Sequence, residues 1–137
     1  MSNRITHHAA LVYTMVLAAT ASGDISDREL RAMSELVSFL PVFEDFDPTR
    51  LNAKVQGCID LLQKEDGLDE AIAIIRQALP EKLRETAYAL ALDVIASNGS
   101  AGQEELLLLE MLRHELDIDR LTAAAIETGA RARYRVL

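Results

Sequence analysis

Oxygen-bearing side chains are concentrated at two glycine turns, and these turns are the parts of the sequence best suited to binding a ligand. The first set is Ser22, Asp24, Asp27 and Glu29 around Gly23; the second is Asn98, Ser100, Glu104 and Glu105 around Gly99. In both turns a glutamate follows the glycine by six residues. Carboxylate, amide and hydroxyl oxygens bind hard cations such as calcium, magnesium and manganese. The two turns are therefore candidate divalent-cation sites.

The glycine-to-glutamate spacing also matches the second half of a calcium-binding EF-hand loop. In such a loop the glycine makes the sharp turn and the final glutamate supplies two oxygens. The first half of the loop is missing, because the positions that would need aspartates hold Ala18 and Thr20 in one turn and Val94 and Ala96 in the other. An EF-hand is excluded.

Helix capping is the alternative explanation for these acids. Ser26 stands three residues before Glu29, which is the spacing of a capping box, and Gly102 stands at the same distance before Glu105. Acidic residues in the first turn of a helix are also favoured by the helix dipole. Capping and cation binding both remain open for the two glutamates.

Asp93 is a separate candidate, because it interrupts an otherwise apolar helix five residues before Asn98. A buried carboxylate requires a partner, either an arginine such as Arg113 or Arg131 or a metal ion. With Asp93 included, the predicted metal ligands are Asp24, Asp27, Glu29, Asp93, Asn98 and Glu105.

The two turns belong to similar segments, residues 10–36 and 86–112, whose glycines are separated by 76 positions. In each segment the turn follows a helix with apolar residues almost all round. Such helices are buried on several sides. We therefore expect the first and fifth helices of the chain to form its centre.

Hydrophobic periodicity, prolines and capping residues predict about seven helices and no strand. Their expected positions are 4–22, 27–40, 48–64, 68–79, from Pro80 into the second turn, 103–115, and from a cap at Asp117 or Asp119 to about Arg133. The fold predicted is an all-α compact bundle in one domain, 1–137, with an internal two-fold repeat of helix-turn-helix units.

Composition limits the classes of function. The chain has 137 residues and a net charge of −8, which disfavours nucleic acid and anionic membrane surfaces as partners. Its first apolar run, residues 9–19, is shorter than the roughly 20 residues that cross a bilayer. The single cysteine, Cys58, has the position of a buried small hydrophobe. We expect a cytoplasmic protein without membrane insertion.

Catalytic motifs are not recognisable in the sequence. Neither His7 and His8, which are adjacent, nor Cys58 has zinc-ligand spacing, and no glycine-rich phosphate loop or nucleophile motif is present. We therefore predict that the protein is not an enzyme.

The two turns, residues 21–30 and 97–106, each following an apolar helix, resemble the signature of the TerB-like tellurite resistance family. The resemblance implies an all-helical bacterial domain with a non-catalytic role in tellurite resistance or stress response. It also implies divalent-cation binding at the acidic turns. The family has an aspartate before each glycine, whereas this chain has Ser22 and Asn98.

Two hypotheses follow for the function. The first is a stress-response domain that binds a divalent cation weakly through its two acidic turns. The second is a helical interaction or scaffold domain that has lost the metal site and binds a protein partner.

Overall fold

Seven α-helices make up most of the chain in the computed structural model, which describes residues 4–99 and 101–137. The helices are α1 (His7–Thr20), α2 (Asp27–Phe39), α3 (Leu51–Leu62), α4 (Gly67–Ala78), α5 (Arg84–Ala96), α6 (Gln103–Glu115) and α7 (Arg120–Arg133). Short 3-10 helices occupy Pro41–Phe43, Pro48–Arg50 and Glu81–Leu83, and no strand is present in the described ranges. The prediction of an all-α bundle of about seven helices is confirmed.

Local sequence decides most of the helix ends. Asp119 caps α7 by accepting a hydrogen bond from the backbone of Thr122, as one of the two predicted caps. The prediction that the third and fifth helices start at their prolines was wrong by one turn. A 3-10 turn comes first in both places, since the opening turn of a helix can tighten to i→i+3 bonds.

The helices α1 and α5 lie at the centre and pack against each other, as predicted. Leu11, Met15 and Leu17 of α1 and Tyr88 and Leu90 of α5 are almost fully buried. The helices α3 and α4 cover α1, whereas α7, α2 and α6 pack on α5. The alanines of both central helices allow these neighbours to approach on every side.

The connector between α2 and α3 folds back onto the start of α1. Phe43 is buried, and its ring stacks on the ring of His8 with the centroids 5.9 Å apart. The Nε2 atom of His8 lies 3.0 Å from the carbonyl oxygen of Val42 and 3.0 Å from a carboxylate oxygen of Asp45. Through these contacts His8 links the connector to the core.

The four consecutive leucines of α6 divide between the core and the surface. Leu108 and Leu109 are buried, whereas Leu106 and Leu107 are 55% and 63% exposed. Because successive residues are about 100° apart on a helix, the two exposed leucines face different sides of α6. In the part of the chain that the structure describes, none of the helices has the length and apolar character needed to cross a membrane.

The central position of α1 predicts a large loss of stability when its core side chains are shortened. We expect Leu11→Ala to lower the free energy of unfolding by about 3 kcal/mol, because a buried leucine leaves a cavity. The matched control is Leu121→Ala on α7, where the side chain is 79% exposed and the expected change is within about 0.5 kcal/mol. Urea unfolding followed by circular dichroism measures both values, and equal changes would contradict the central placement of α1.

Candidate functional site

Both turns depend on a glycine with a positive φ. Gly23 follows α1 with φ 142°, and Gly99 follows α5 with φ 89°. A residue with a Cβ is strained in this region, whereas glycine adopts it freely. The chain therefore turns away from α1 at Gly23 and from α5 at Gly99, directly after Ser22 and Asn98.

Each glutamate first caps its own helix. Glu29 Oε1 accepts a hydrogen bond of 2.8 Å from the Ser26 backbone N–H, and Ser26 Oγ accepts one of 3.1 Å from the Glu29 N–H. In α6, Glu105 Oε1 accepts a hydrogen bond of 2.7 Å from the Gly102 N–H. The predicted capping role is confirmed for both glutamates, and it uses one oxygen of each carboxylate.

The second oxygen of each glutamate binds the opposite turn. Asn98 Nδ2 donates to Glu29 Oε2 at 2.7 Å, and Ser22 Oγ donates to Glu105 Oε2 at 2.7 Å. Ser26 Oγ also donates to Asn98 Oδ1 at 3.2 Å. We call this arrangement the turn junction; its members are Ser22, Ser26, Glu29, Asn98, Gly102 and Glu105. It joins the ends of α1 and α5 to the starts of α6 and α2.

Burial makes these hydrogen bonds necessary. Glu29 is 3% exposed and Glu105 is 8% exposed, and a carboxylate buried without donors is strongly destabilising. The hydrogen bond from Ser22 lowers the pKa of Glu105, burial opposes this by raising it, and the bond from the Gly102 amide lowers it further. The net pKa lies below the usual value for a glutamate, so Glu105 is an anion at neutral pH.

The predicted metal ligands do not all come together. Glu29, Asn98 and Glu105 belong to the turn junction, whereas Asp24 and Asp27 are exposed on the surface of the first turn. Ser100, which the sequence places in the second turn, lies outside the described residues. Among the described side chains, no group of three or more His, Cys, Asp and Glu residues is arranged to hold a metal ion.

Asp93 is not a member of the turn junction and pairs with an arginine of α7. It is 9% exposed, and its Oδ1 atom accepts a hydrogen bond from Arg133 Nη2 at 2.5 Å. The partner is neither Arg113 nor Arg131, the two arginines that the sequence suggested. Arg133 reaches Asp93 because α7 packs along α5, which periodicity alone does not reveal.

Sequence reasoning missed the hydrogen bonds between the turns. It identified Ser22 and Asn98 as oxygen-bearing residues of the candidate cation sites, at positions where an aspartate is missing, and Ser26 as a cap. Their partners are 83 and 69 residues away for Ser22 and Asn98 respectively. The 76-residue separation of the two glycines was the available signal, because similar segments that pack together can exchange equivalent contacts.

The comparisons with known proteins give no relative for this chain. No protein-family model matches it, and neither the curated proteins nor the solved structures contain a match.

Removing the Ser22 hydroxyl tests its bond to Glu105. We expect Ser22→Ala to lower the free energy of unfolding at neutral pH by about 1–2 kcal/mol, as for other hydrogen bonds to charged groups. Because the bond lowers the pKa of Glu105, its contribution is present above the ordinary glutamate pKa and is lost as the pH falls through the lower folded value.

The measurements are urea unfolding between neutral and acidic pH and the Glu105 carboxyl pKa by carbon NMR. The pKa of Glu105 should rise in Ser22→Ala, and the stability difference from wild type should shrink in acid. Ser38→Ala, which removes an exposed serine hydroxyl, is the control. A difference that is independent of pH would contradict the charged hydrogen bond.

We expect mutations of Asp93 and Arg133 to have non-additive effects on the free energy of unfolding, because the two side chains form an ion pair. Arg133→Met leaves the buried Asp93 carboxylate without its partner and should cost about 2–3 kcal/mol of stability. Adding Asp93→Leu should recover at least half of that loss, since the uncompensated charge is then gone. Additive losses in the double-mutant cycle would show that the two side chains act independently.

Proposed function

We propose that this chain is a non-catalytic helical interaction domain whose turn junction is held by direct hydrogen bonds in place of a cation. One observation carries the proposal: Ser22 and Asn98 each donate a hydrogen bond to the glutamate of the opposite turn. These are the two positions at which the TerB-like family has an aspartate.

The chemistry of these two positions explains why a cation is not required. An aspartate at position 98 would place one carboxylate against another, and only a proton or a cation could then lie between them favourably. Asparagine has a similar shape but provides an N–H donor, and serine provides an O–H donor. In this proposal the donor hydrogens take the structural role that a divalent cation has in the family.

The resemblance then concerns the architecture more than the cation. Two apolar helices, two positive-φ glycines and two capping glutamates support the inference that residues 10–36 and 86–112 are a TerB-like repeat. The bacterial, cytoplasmic role in tellurite resistance or stress response is proposed on the resemblance alone. In this proposal the domain acts by binding a protein partner.

Weak cation binding at the turn junction is the second candidate. It is favoured by the two buried carboxylates and the Asn98 carbonyl oxygen, which are suitable ligands for calcium or manganese once the hydrogen bonds open. The two candidates differ in what a cation does to stability, so one set of measurements separates them.

Thermal unfolding with chelator and with calcium, magnesium or manganese provides that test. We expect the melting temperature of wild type to be the same in all conditions, because no cation joins the turns. For Ser22→Asp/Asn98→Asp we expect a large loss of stability in chelator and recovery with calcium or manganese. A cation at about 100 times its Kd contributes about 2.7 kcal/mol, which is roughly 8–10 °C for a chain of this size.

Asp24→Asn/Asp27→Asn is the matched control, since it changes two exposed acids of the same turn outside the turn junction. It should behave like wild type with every cation. The cation-binding candidate would be favoured if one divalent cation raised the melting temperature of wild type and this increase were lost in Glu29→Gln/Glu105→Gln. That result would contradict a junction held by hydrogen bonds alone.

A further inference from the structure

A groove lined by arginines runs between α6 and α7, with α5 as its floor. We call it the arginine groove; its volume is about 810 Å³. Both walls pack on α5, and the groove continues past the end of α7 along Tyr134 and Val136. Its shape is an open channel between two helices, which is the shape that accepts a third helix.

Apolar side chains in the arginine groove are incompletely covered. Leu106 is 55% exposed, Tyr134 is 40% exposed and Val136 is 87% exposed. On the α7 side the wall includes the small, exposed residue Ala124, which allows the backbone of another helix to come close. A cluster of exposed apolar groups with a polar rim is typical of a protein interaction surface.

The charge of the groove is opposite to that of the protein. Four arginines line it, Arg113, Arg120, Arg131 and Arg135, together with two glutamates, whereas the whole chain has a net charge of −8. Among the described residues, none of these four arginines forms an ion pair with a carboxylate.

One of the two groove glutamates, Glu127 of the α7 wall, already has a hydrogen-bond partner. The buried hydroxyl of Tyr88 donates a hydrogen bond of 2.6 Å to Glu127 Oε2. Burial and this glutamate raise the pKa of Tyr88, so the hydroxyl keeps its proton and the bond persists. The other groove glutamate, Glu110, lies 4.0 Å from His114 Nε2. Because neither glutamate forms an ion pair with the four arginines in the described part of the chain, their guanidinium groups are available for carboxylates of another molecule.

We propose that the arginine groove binds an amphipathic α-helix of a partner protein. The apolar stripe of that helix contacts Leu106 and Tyr134, and the aspartates and glutamates beside the stripe contact the arginines. The proposal rests on the interaction-domain function proposed above and names the chemistry of the partner. Charge complementarity favours this occupant. A second copy related by two-fold symmetry would place arginines opposite arginines, and an anionic membrane would repel the acidic remainder of the protein.

Adjacent leucines on α6 provide a matched pair of variants. Leu106 faces the arginine groove, whereas Leu107 faces a separate groove whose charged residues are the acids Asp24 and Glu104. The two side chains have similar exposure, so Leu106→Ser and Leu107→Ser should leave the fold equally intact. Circular dichroism and thermal unfolding check this before binding is measured.

The probe is a fluorescein-labelled synthetic helix of about 18 residues, or five turns, with leucines on one stripe, glutamates on both flanks and alanine elsewhere. A counterpart carries lysine in place of every glutamate. We expect the glutamate peptide to bind wild type with a Kd of roughly 10–100 μM by fluorescence anisotropy, and more weakly at high salt. Amide chemical shifts should change along α6, α7 and the end of α5.

Leu106→Ser should weaken this binding about tenfold, whereas Leu107→Ser should change it less than about twofold. Arg120→Glu/Arg131→Glu should weaken binding of the glutamate peptide at least tenfold and strengthen binding of the lysine peptide. These results together would support a groove for acidic amphipathic helices.

Several results would overturn the proposal. The first is that the glutamate peptide does not bind at concentrations up to about 1 mM, and the second is that both peptides bind equally well. The third is that Leu106→Ser and Leu107→Ser weaken peptide binding equally. Dimerisation of wild type that Leu106→Ser abolishes would assign the groove to a second copy. Cosedimentation with phosphatidylglycerol vesicles that Leu106→Ser abolishes would assign it to a membrane. None of these results depends on the cation measurements, so this proposal and the cation-free junction can fail separately.

Discussion

The side chains of Glu29 and Glu105 each hold two turns together, and the arrangement of the helix ends depends on them. One oxygen of each carboxylate binds the N-cap backbone of its own helix, and the other accepts a hydrogen bond from the opposite turn. A buried carboxylate must keep such donors, because their loss is strongly destabilising. The ends of α1 and α5 and the starts of α2 and α6 are therefore held in one relative position.

This constraint reaches the surface through α6. Because Glu105 is turned inward, the rotation of α6 about its axis is set from its first turn, and Leu108, Leu109 and Leu112 fall on the core side. Leu106 and Leu107 are left outside on different faces. The two exposed leucines thus follow from the turn junction, although neither belongs to it.

The other wall of the arginine groove is held by polar contacts of a different kind. Asp93 binds Arg133 and Tyr88 binds Glu127, and both pairs join α5 to α7. Small side chains at Ala123 and Ala130 allow the two helices to pack closely. The α7 wall is thus bonded to the floor helix, whereas the α6 wall packs on α5 and is hydrogen-bonded to the end of α1 through Glu105 and Ser22. A preformed groove of this kind binds a partner at a lower entropic cost than one that must order on binding.

The sequence by itself determined what depends on neighbouring residues. The helical fold class, the bounds of α6, the start of α2 at Asp27, the capping glutamates and the burial of α1 and α5 followed from periodicity, prolines and caps. The helix bounds and caps arise from interactions within about four residues, which a single sequence displays directly. The burial of α1 and α5 was indicated by apolar residues on nearly all sides of each helix. Asp93 was recognised as needing a partner for the same reason, because one acid stood in an apolar helix.

Only the tertiary structure decided which distant residues meet. The sequence presented Ser22 and Asn98 as uncharged members of the candidate cation sites, and the structure reveals them as hydrogen-bond donors to glutamates of the opposite turn. The structure also shows that Asp93 pairs with Arg133 and that two of the four consecutive leucines in α6 lie outside the core. Such pairings depend on how whole helices are rotated and placed against each other. That placement is set by the summed packing of the core and of the buried polar groups, which no local pattern contains.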